Sequence, residues 1–140
     1  DRVVASVGTT AITLSEFQQR LALLREKQPS ITEDEVINSM INGLLLLEKA
    51  RQLRIEGKNS DDLIAEYVNL KIRSAILIRD EQIDNYLRDH HQQLGVRNDS
   101  SVREKVEELL IEQEFNKALE KHIKELRETA DIRIQLSTKQ

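Results

Sequence analysis

Residues 101–136 decide the fold, and they read SVREKVEELLIEQEFNKALEKHIKELRETADIRIQL. In their first part, apolar side chains recur at steps of three and four with Glu and Lys between them, which predicts one long amphipathic helix over 102–129. Ser101 and Glu104 have capping-box spacing and would mark its start. Over 132–136 the apolar period changes to two, which indicates a half-buried strand. A closing strand needs a partner strand, and the rest of the chain has to supply it.

The partner is predicted at the opposite end of the chain. Two β-prone runs, 3–7 and 11–13, flank a turn in which Gly8 can take the positive φ of a tight hairpin. An isolated two-stranded hairpin is marginally stable in water. We therefore expect the strand at 132–136 to join it, so that one small antiparallel sheet clasps both ends of the chain.

Helices are predicted between the hairpin and the long helix. Thr13 with Glu16 and Thr32 with Glu35 are capping-box pairs and predict the starts of the first two. The second helix is apolar on more than one side, which predicts that it is central, and Gly57 is its expected C′ residue.

Two further helices follow. Asp61 and Asp62 predict the start of the third, whose apolar stripe continues to Ile76. A break at Arg79 then leads into a short fourth helix that reaches Leu94.

The predicted fold class is mainly α with a small antiparallel β-sheet. We expect a single domain over 1–140, with a hairpin at 2–13, a helical body at 14–94, a connector at 95–100, and the long helix with its closing strand at 101–136.

Composition excludes several functions. The 140 residues carry a net charge of −4 with acids and bases interspersed, and they contain two Phe, two Tyr and no Trp, so no nucleic-acid partner is expected. Without Cys there is no disulfide and no thiol chemistry. No apolar run has transmembrane length, so no integral membrane segment is predicted, and no signal peptide is visible.

No catalytic or cofactor motif is present either. The adjacent residues His90 and His91 lack the spacing of a chelating pair on a helix, and no phosphate-binding loop or nucleophile elbow occurs. Acidic pairs such as Asp61 with Asp62 are explained by their place at helix starts. The prediction is a protein that is not an enzyme, with no metal and no cofactor.

The apolar residues divide into a predicted core and a predicted binding surface. Leu109, Leu110, Phe115 and most of the run 44–47 are expected in the core. The first three helices nevertheless carry more apolar faces than one small domain has to bury, so some could line a groove open to a peptide. The candidate peptide-binding residues are Phe17, Leu21, Leu24, Met40, Tyr67 and Ile72.

The order of these pieces resembles the chaperone domain of SurA-type periplasmic chaperones and related foldases. In this chain, VVASVGTTAITLSEF (3–17) resembles the family's opening hairpin and first helix. The segment ITEDEVINSMINGLLLLEKARQLRI (31–55) resembles the family's second helix. The segment that leads into the family's parvulin isomerase domain resembles IRDEQIDNYLRDHHQQL (78–94), and its closing helix and strand resemble residues 102–136.

This chain departs from the family where the parvulin domain would be inserted, because only the connector 95–100 stands there. The resemblance therefore implies an ATP-independent chaperone module without isomerase activity. It would bind unfolded outer-membrane or secreted proteins in the periplasm. The alternative is a structural module that forms a homodimer, in which the long helix and strand swap onto a second copy.

Overall fold

A three-stranded antiparallel sheet joins the two ends of the chain in this computed structural model, which describes residues 1–91 and 99–136. Strand β1 (Val3–Val7) lies between β2 (Thr10–Thr13) and β3 (Ile132–Ile134). The predicted pairing of the closing strand with the N-terminal hairpin is thereby confirmed, and so is the class of a mainly helical chain with a small sheet.

The hairpin turn follows its sequence prediction. Gly8 has a φ of +59°, a conformation that costs glycine little because it has no Cβ. The Gly8 N–H also donates to the Asp131 carbonyl oxygen at 2.8 Å, and the Gln135 N–H donates to that of Val4 at 2.7 Å. These two bonds extend the contact of β3 with β1 beyond the strand ends.

Five α-helices are described in residues 1–91 and 99–136. The two predicted capping boxes, Thr13 with Glu16 and Thr32 with Glu35, are both formed in full, which satisfies backbone N–H groups at the starts of the first two helices. The helices are α1 (Leu14–Lys27), α2 (Glu33–Gln52), α3 (Ser60–Lys71), α4 (Asp80–Asp89) and α5 (Ser100–Thr129).

The C-terminus of α2 differs from its prediction. The helix ends at Gln52, and Arg54 rather than Gly57 takes the left-handed conformation, with a φ of +57°. The Arg54 N–H bonds the Arg51 carbonyl and the Ile55 N–H bonds that of Ala50, which is the paired pattern of a Schellman motif. The prediction for Gly57 is wrong because these bonds close the helix at Arg54, three residues before Gly57. Leu53, which precedes Arg54, is already exposed.

Two other helix boundaries are corrected. Helix α5 is capped by Asp99, whose Oδ1 accepts from the Val102 N–H at 3.0 Å, so Ser101 lies inside the helix and is not its cap. Helix α3 ends at Lys71, and Ile76 is extended after a short 3-10 turn. Ser100 is helical, while Leu94 and 95–98 lie outside the described residues.

The chain divides into two compact units, one formed by Asp1–Tyr67 with the residues from His122 onward, and the other by Val68–Lys121. In the first unit, α2 is the central helix, as predicted: Val36, Ile37 and Ile41 are fully buried along it. They pack in one cluster with Val4, Ala5, Val7, Ile12, Phe17 and Leu45 from the hairpin, α1 and α2 itself.

In the second unit, two arginine side chains contact residues of other segments. The Arg73 guanidinium lies 3.9 Å from the Phe115 ring centroid, and its Nη1 is 2.7 Å from Glu112 Oε1. Arg103 donates to Asp84 Oδ1 at 2.7 Å. Among the described residues of this unit, the buried apolar ones are Val68, Ile72, Ile83 and Val106.

The core predicted on α5 is largely wrong. Leu109 is 40% exposed, and Leu110 and Phe115 are only half-buried, whereas Val106 is buried. For Phe115 the physical reason is that the Arg73 cation covers the ring face, so the aromatic group is satisfied without full burial. The run at 44–47 behaves as predicted, because all of it except the half-buried Leu44 is buried.

Candidate functional site

The six residues predicted to bind peptide do not form one surface. Phe17 is 1% exposed and belongs to the core cluster, so its assignment to an open groove is wrong. Tyr67 and Ile72 are also buried, and Ile72 lies in the second unit. The reason is that an apolar stripe on a helix identifies its packing face, and most of that face is consumed by the core.

The other three predicted residues are half-buried. Leu21, Leu24 and Met40 pack against the edge of the core cluster and retain some accessible apolar surface. Met40 also lines a groove in the first unit. We call this the β2 groove. Its other lining residues are Thr10, Ala11, Ile12, Glu16, Arg20, Ser39, Gly43, Leu44, Leu47, Ser60, Asp61 and Ile64.

The β2 groove has a volume of about 330 Å³ and an apolar floor. Met40 and Leu44 enter it from α2, and Ile64 enters it from α3; all three are half-buried, so part of each side chain is available for contact. Ile12, at the bottom, is buried. Strand β2 forms one wall, and because β2 is an edge strand, one of its sides has no partner in the sheet.

The apolar surface continues past the groove toward the hairpin turn. A second hollow, of about 390 Å³, shares Thr10, Leu44 and Leu47 with the β2 groove. It adds Glu48 and Arg51 on its α2 side. The two hollows together form a trough that follows β2 and α2 within the first unit.

Charged groups stand on the rim of this trough rather than on its floor. The Glu16 carboxylate accepts from the Thr13 N–H at 2.9 Å and so belongs to the cap of α1. In the described part of the chain, the side chains of Arg20, Arg51 and Asp61 make no ion pair or hydrogen bond. The floor therefore suits uncharged groups, and the rim offers charges of both signs to the flanks of an occupant.

Sequence reasoning missed the polar contacts that hold the groove's scaffold. The Tyr67 hydroxyl lies 2.7 Å from His122 Nε2, and burial raises the pKa of Tyr67. Arg127 bonds Asn38 and Asn42 on α2. The sequence did contain a sign of this contact. Asn38 and Asn42 are four residues apart in an otherwise apolar helix, so both lie on one face and can share a polar partner.

In residues 1–91 and 99–136, no group of three or more His, Asp or Glu side chains is arranged to hold a metal ion. His90 instead stacks on Tyr86, with ring centroids 3.9 Å apart, and it is the C-cap residue of α4.

Among the described helices, none has both the length and the apolar composition that crossing a bilayer requires. The chain matches no protein-family model, and it matches no curated protein.

Proposed function

We propose that this chain is an ATP-independent chaperone module that binds apolar-rich segments of unfolded polypeptides. The observation that carries the proposal is the β2 groove, where half-buried Met40, Leu44 and Ile64 form an open apolar floor beside an edge strand. Apolar surface in a groove is a feature of peptide-binding sites. The module makes and breaks no bond, and it requires no cofactor.

The size of the groove fits weak, reversible binding. Covering about 200 Å² of apolar surface contributes about 5 kcal/mol at about 25 cal/mol per Å². Ordering a flexible segment and losing its translational freedom offset much of that gain. A client held this way is shielded from self-association and released without an energy source.

The setting of the proposal comes from the resemblance to SurA-type chaperones. On that resemblance, we propose that the module acts in the periplasm, with unfolded outer-membrane or secreted proteins as clients and without isomerase activity. The order of the pieces supports it: a hairpin, a capped central helix, and a long helix with its closing strand follow one another in this chain.

A light-scattering assay tests the proposal. An outer-membrane porin unfolded in urea is diluted into buffer with and without an excess of this protein. We expect the wild type to suppress aggregation and Met40→Glu to suppress it several-fold less, because a carboxylate on the floor would have to lose its hydration. Leu23→Glu is the matched control, since Leu23 is 55% exposed on α1 and does not line the groove.

Two results would count against this function. Aggregation that proceeds unchanged with excess wild-type protein would refute chaperone activity. Equal suppression by both variants, with unchanged circular dichroism, would place the binding surface elsewhere. Sedimentation velocity on the same samples tests the alternative of a domain-swapped homodimer, for which β3 would have to leave the β1 of its own chain.

A further inference from the structure

The hydrogen-bond directions of β1 can be read from its contacts with the closing strand. The Gly8 N–H bonds the Asp131 carbonyl, and the Gln135 N–H bonds the Val4 carbonyl. In an antiparallel strand, the backbone groups of successive residues point to opposite sides. Val4, Ser6 and Gly8 therefore direct their backbone groups toward β3.

The backbone groups of Ala5 and Val7 then point the other way, toward β2. Their partners there are Ile12 and Thr10. Ala11 stands between those two partners, so its N–H and C=O point away from β1 and into the β2 groove, which Ala11 lines. Ala11 is exposed. The free edge of the sheet thus presents one unpaired donor and acceptor beside the apolar floor.

The two edges of the sheet differ in how they are protected. Edge strands that avoid pairing are short or carry charged side chains. Strand β3 is short, with three residues, and it carries the charged side chain of Arg133. The Nε atom of Arg133 lies 3.6 Å from Asp131 Oδ1. Strand β2 has no charged residue in Thr10–Thr13. Although β2 is also short, with four residues, its edge therefore lacks the charged side chain that discourages strand addition at β3.

We propose that the occupant of the β2 groove is an extended segment of an unfolded polypeptide that adds to the sheet as a strand beside β2. The inference rests on the proposed chaperone function and specifies how the client is held. The segment pairs with the N–H and C=O of Ala11, and alternate side chains descend onto Met40, Leu44 and Ile64. Recognition then requires uncharged residues at alternate positions and no particular sequence.

The dimensions of the site favour a short segment over a second copy of the chain. Edge-to-edge pairing of two copies through four residues would span only about 13 Å. That contact falls short of the roughly 1,000 Å² that a specific dimer interface buries. A segment of an unfolded polypeptide that binds transiently does not require an interface of that size.

A peptide-binding experiment tests the pairing directly. The probe is a fluorescein-labelled octapeptide of alternating valine and threonine, and its binding is measured by fluorescence anisotropy. Two copies carry backbone N-methyl groups, one on the valines and the other on the threonines. Because one edge of a strand faces β2, we expect only one of the two copies to lose affinity, by about tenfold. Equal affinity of both copies would overturn strand addition.

A pair of variants tests the same point from the protein side. Ala11→Pro removes the outward N–H while leaving the β1–β2 bonds in place, and it should weaken binding of the unmodified probe about tenfold. Ile134→Pro makes the same change on the outward side of β3 and should leave binding unchanged. If Ala11→Pro fails to fold, the methylated probes still decide the question on the wild-type protein.

The outcomes separate this inference from the function on which it rests. Unchanged probe binding in Ala11→Pro, together with normal suppression of porin aggregation, would overturn strand addition and leave the chaperone function standing. Absence of suppression by the wild type would overturn the function itself. A dimer in sedimentation velocity that Ala11→Pro abolishes would assign the edge to a second copy and overturn the inference.

Discussion

Arg127 ties the last turn of α5 to the central helix of the first unit. Its Nε donates to Asn42 Oδ1 at 2.8 Å, and its Nη2 donates to Asn38 Oδ1 at 3.0 Å and to the Asn38 carbonyl at 3.2 Å. Asn38 and Asn42 lie one turn apart on α2, so both amides reach the same guanidinium group. A fork-shaped cation is needed to bond both at once.

Replacing the guanidinium group of Arg127 tests its contact with the two asparagines. Arg127→Lys should lower the free energy of unfolding by about 1–3 kcal/mol, because the charge remains while a half-buried amide loses its donor. Urea unfolding followed by circular dichroism measures the change. Arg133→Lys is the control and should stay within about 0.5 kcal/mol, since Arg133 pairs with Asp131 on the surface. Equal losses in both variants would contradict the prediction.

Tyr67 makes stability depend on alkaline pH. Burial raises its pKa from the ordinary value of 10.0. As pH rises above about 10, the unfolded chain releases this proton while the folded chain keeps it, so the free energy of unfolding falls.

The substitution Tyr67→Phe removes that titrating group. We expect a smaller fall in the free energy of unfolding from pH 10 to 11 than in the wild type, on top of a pH-independent loss of about 1 kcal/mol from the missing bond to His122. Urea unfolding curves at several pH values provide the comparison. The same slope in both proteins would show that Tyr67 ionises alike in the folded and unfolded states.

At the scale of the element, the start of α5 shows two candidate caps competing. Ser101 with Glu104 has the capping-box spacing, yet Asp99 supplies the oxygen that accepts from the Val102 N–H. A carboxylate at this end is also favoured by the helix dipole. The local pattern predicts a helix start correctly to within two residues but does not choose between adjacent caps.

Alanine substitutions distinguish the two caps. Asp99→Ala should lower the free energy of unfolding by about 1 kcal/mol because an N–H group at the helix start loses its partner. Ser101→Ala, inside the helix, should have no cost or a slight gain, since alanine is the better helix former. Thermal and urea unfolding monitored at 222 nm would reveal the difference. A larger loss from Ser101→Ala would restore the original capping assignment.

For the whole molecule, the decisive contact is the one between the two chain ends. Strand β3 bonds β1, and Ile132 and Leu136 pack against the core cluster of the hairpin, α1 and α2. Removing it exposes one side of β1 and part of that core. The closing strand therefore stabilises the scaffold that holds the β2 groove, although it does not line the groove itself.

A pair of truncations measures this contribution. Ending the chain at Ala130 should lower Tm by about 10 °C, from the loss of ladder hydrogen bonds and apolar contacts that together stabilise by about 2–4 kcal/mol. Ending it at Leu136 retains β3, and this variant is the reference from which the fall in Tm is measured. Differential scanning calorimetry gives both values. An unchanged Tm in the shorter variant would show that the strand is dispensable.

The local structure of this protein follows directly from short stretches of its sequence. Thr13 and Thr32 cap their helices, Gly8 turns the hairpin, and the alternation at 132–136 marks the closing strand. Each of these features depends on backbone conformation and on neighbours within a few residues, so the pattern contains the physical cause.

Which apolar side chains remain open to a partner depends instead on how distant segments of the chain pack together. Phe17 and Met40 both lie on apolar helix faces, yet Phe17 is buried in the core and Met40 lines the groove. The bond between Arg127 and two α2 amides joins residues 85 and 89 positions apart. Such outcomes depend on how distant faces meet and how much volume they fill, which a periodic pattern within one helix does not encode.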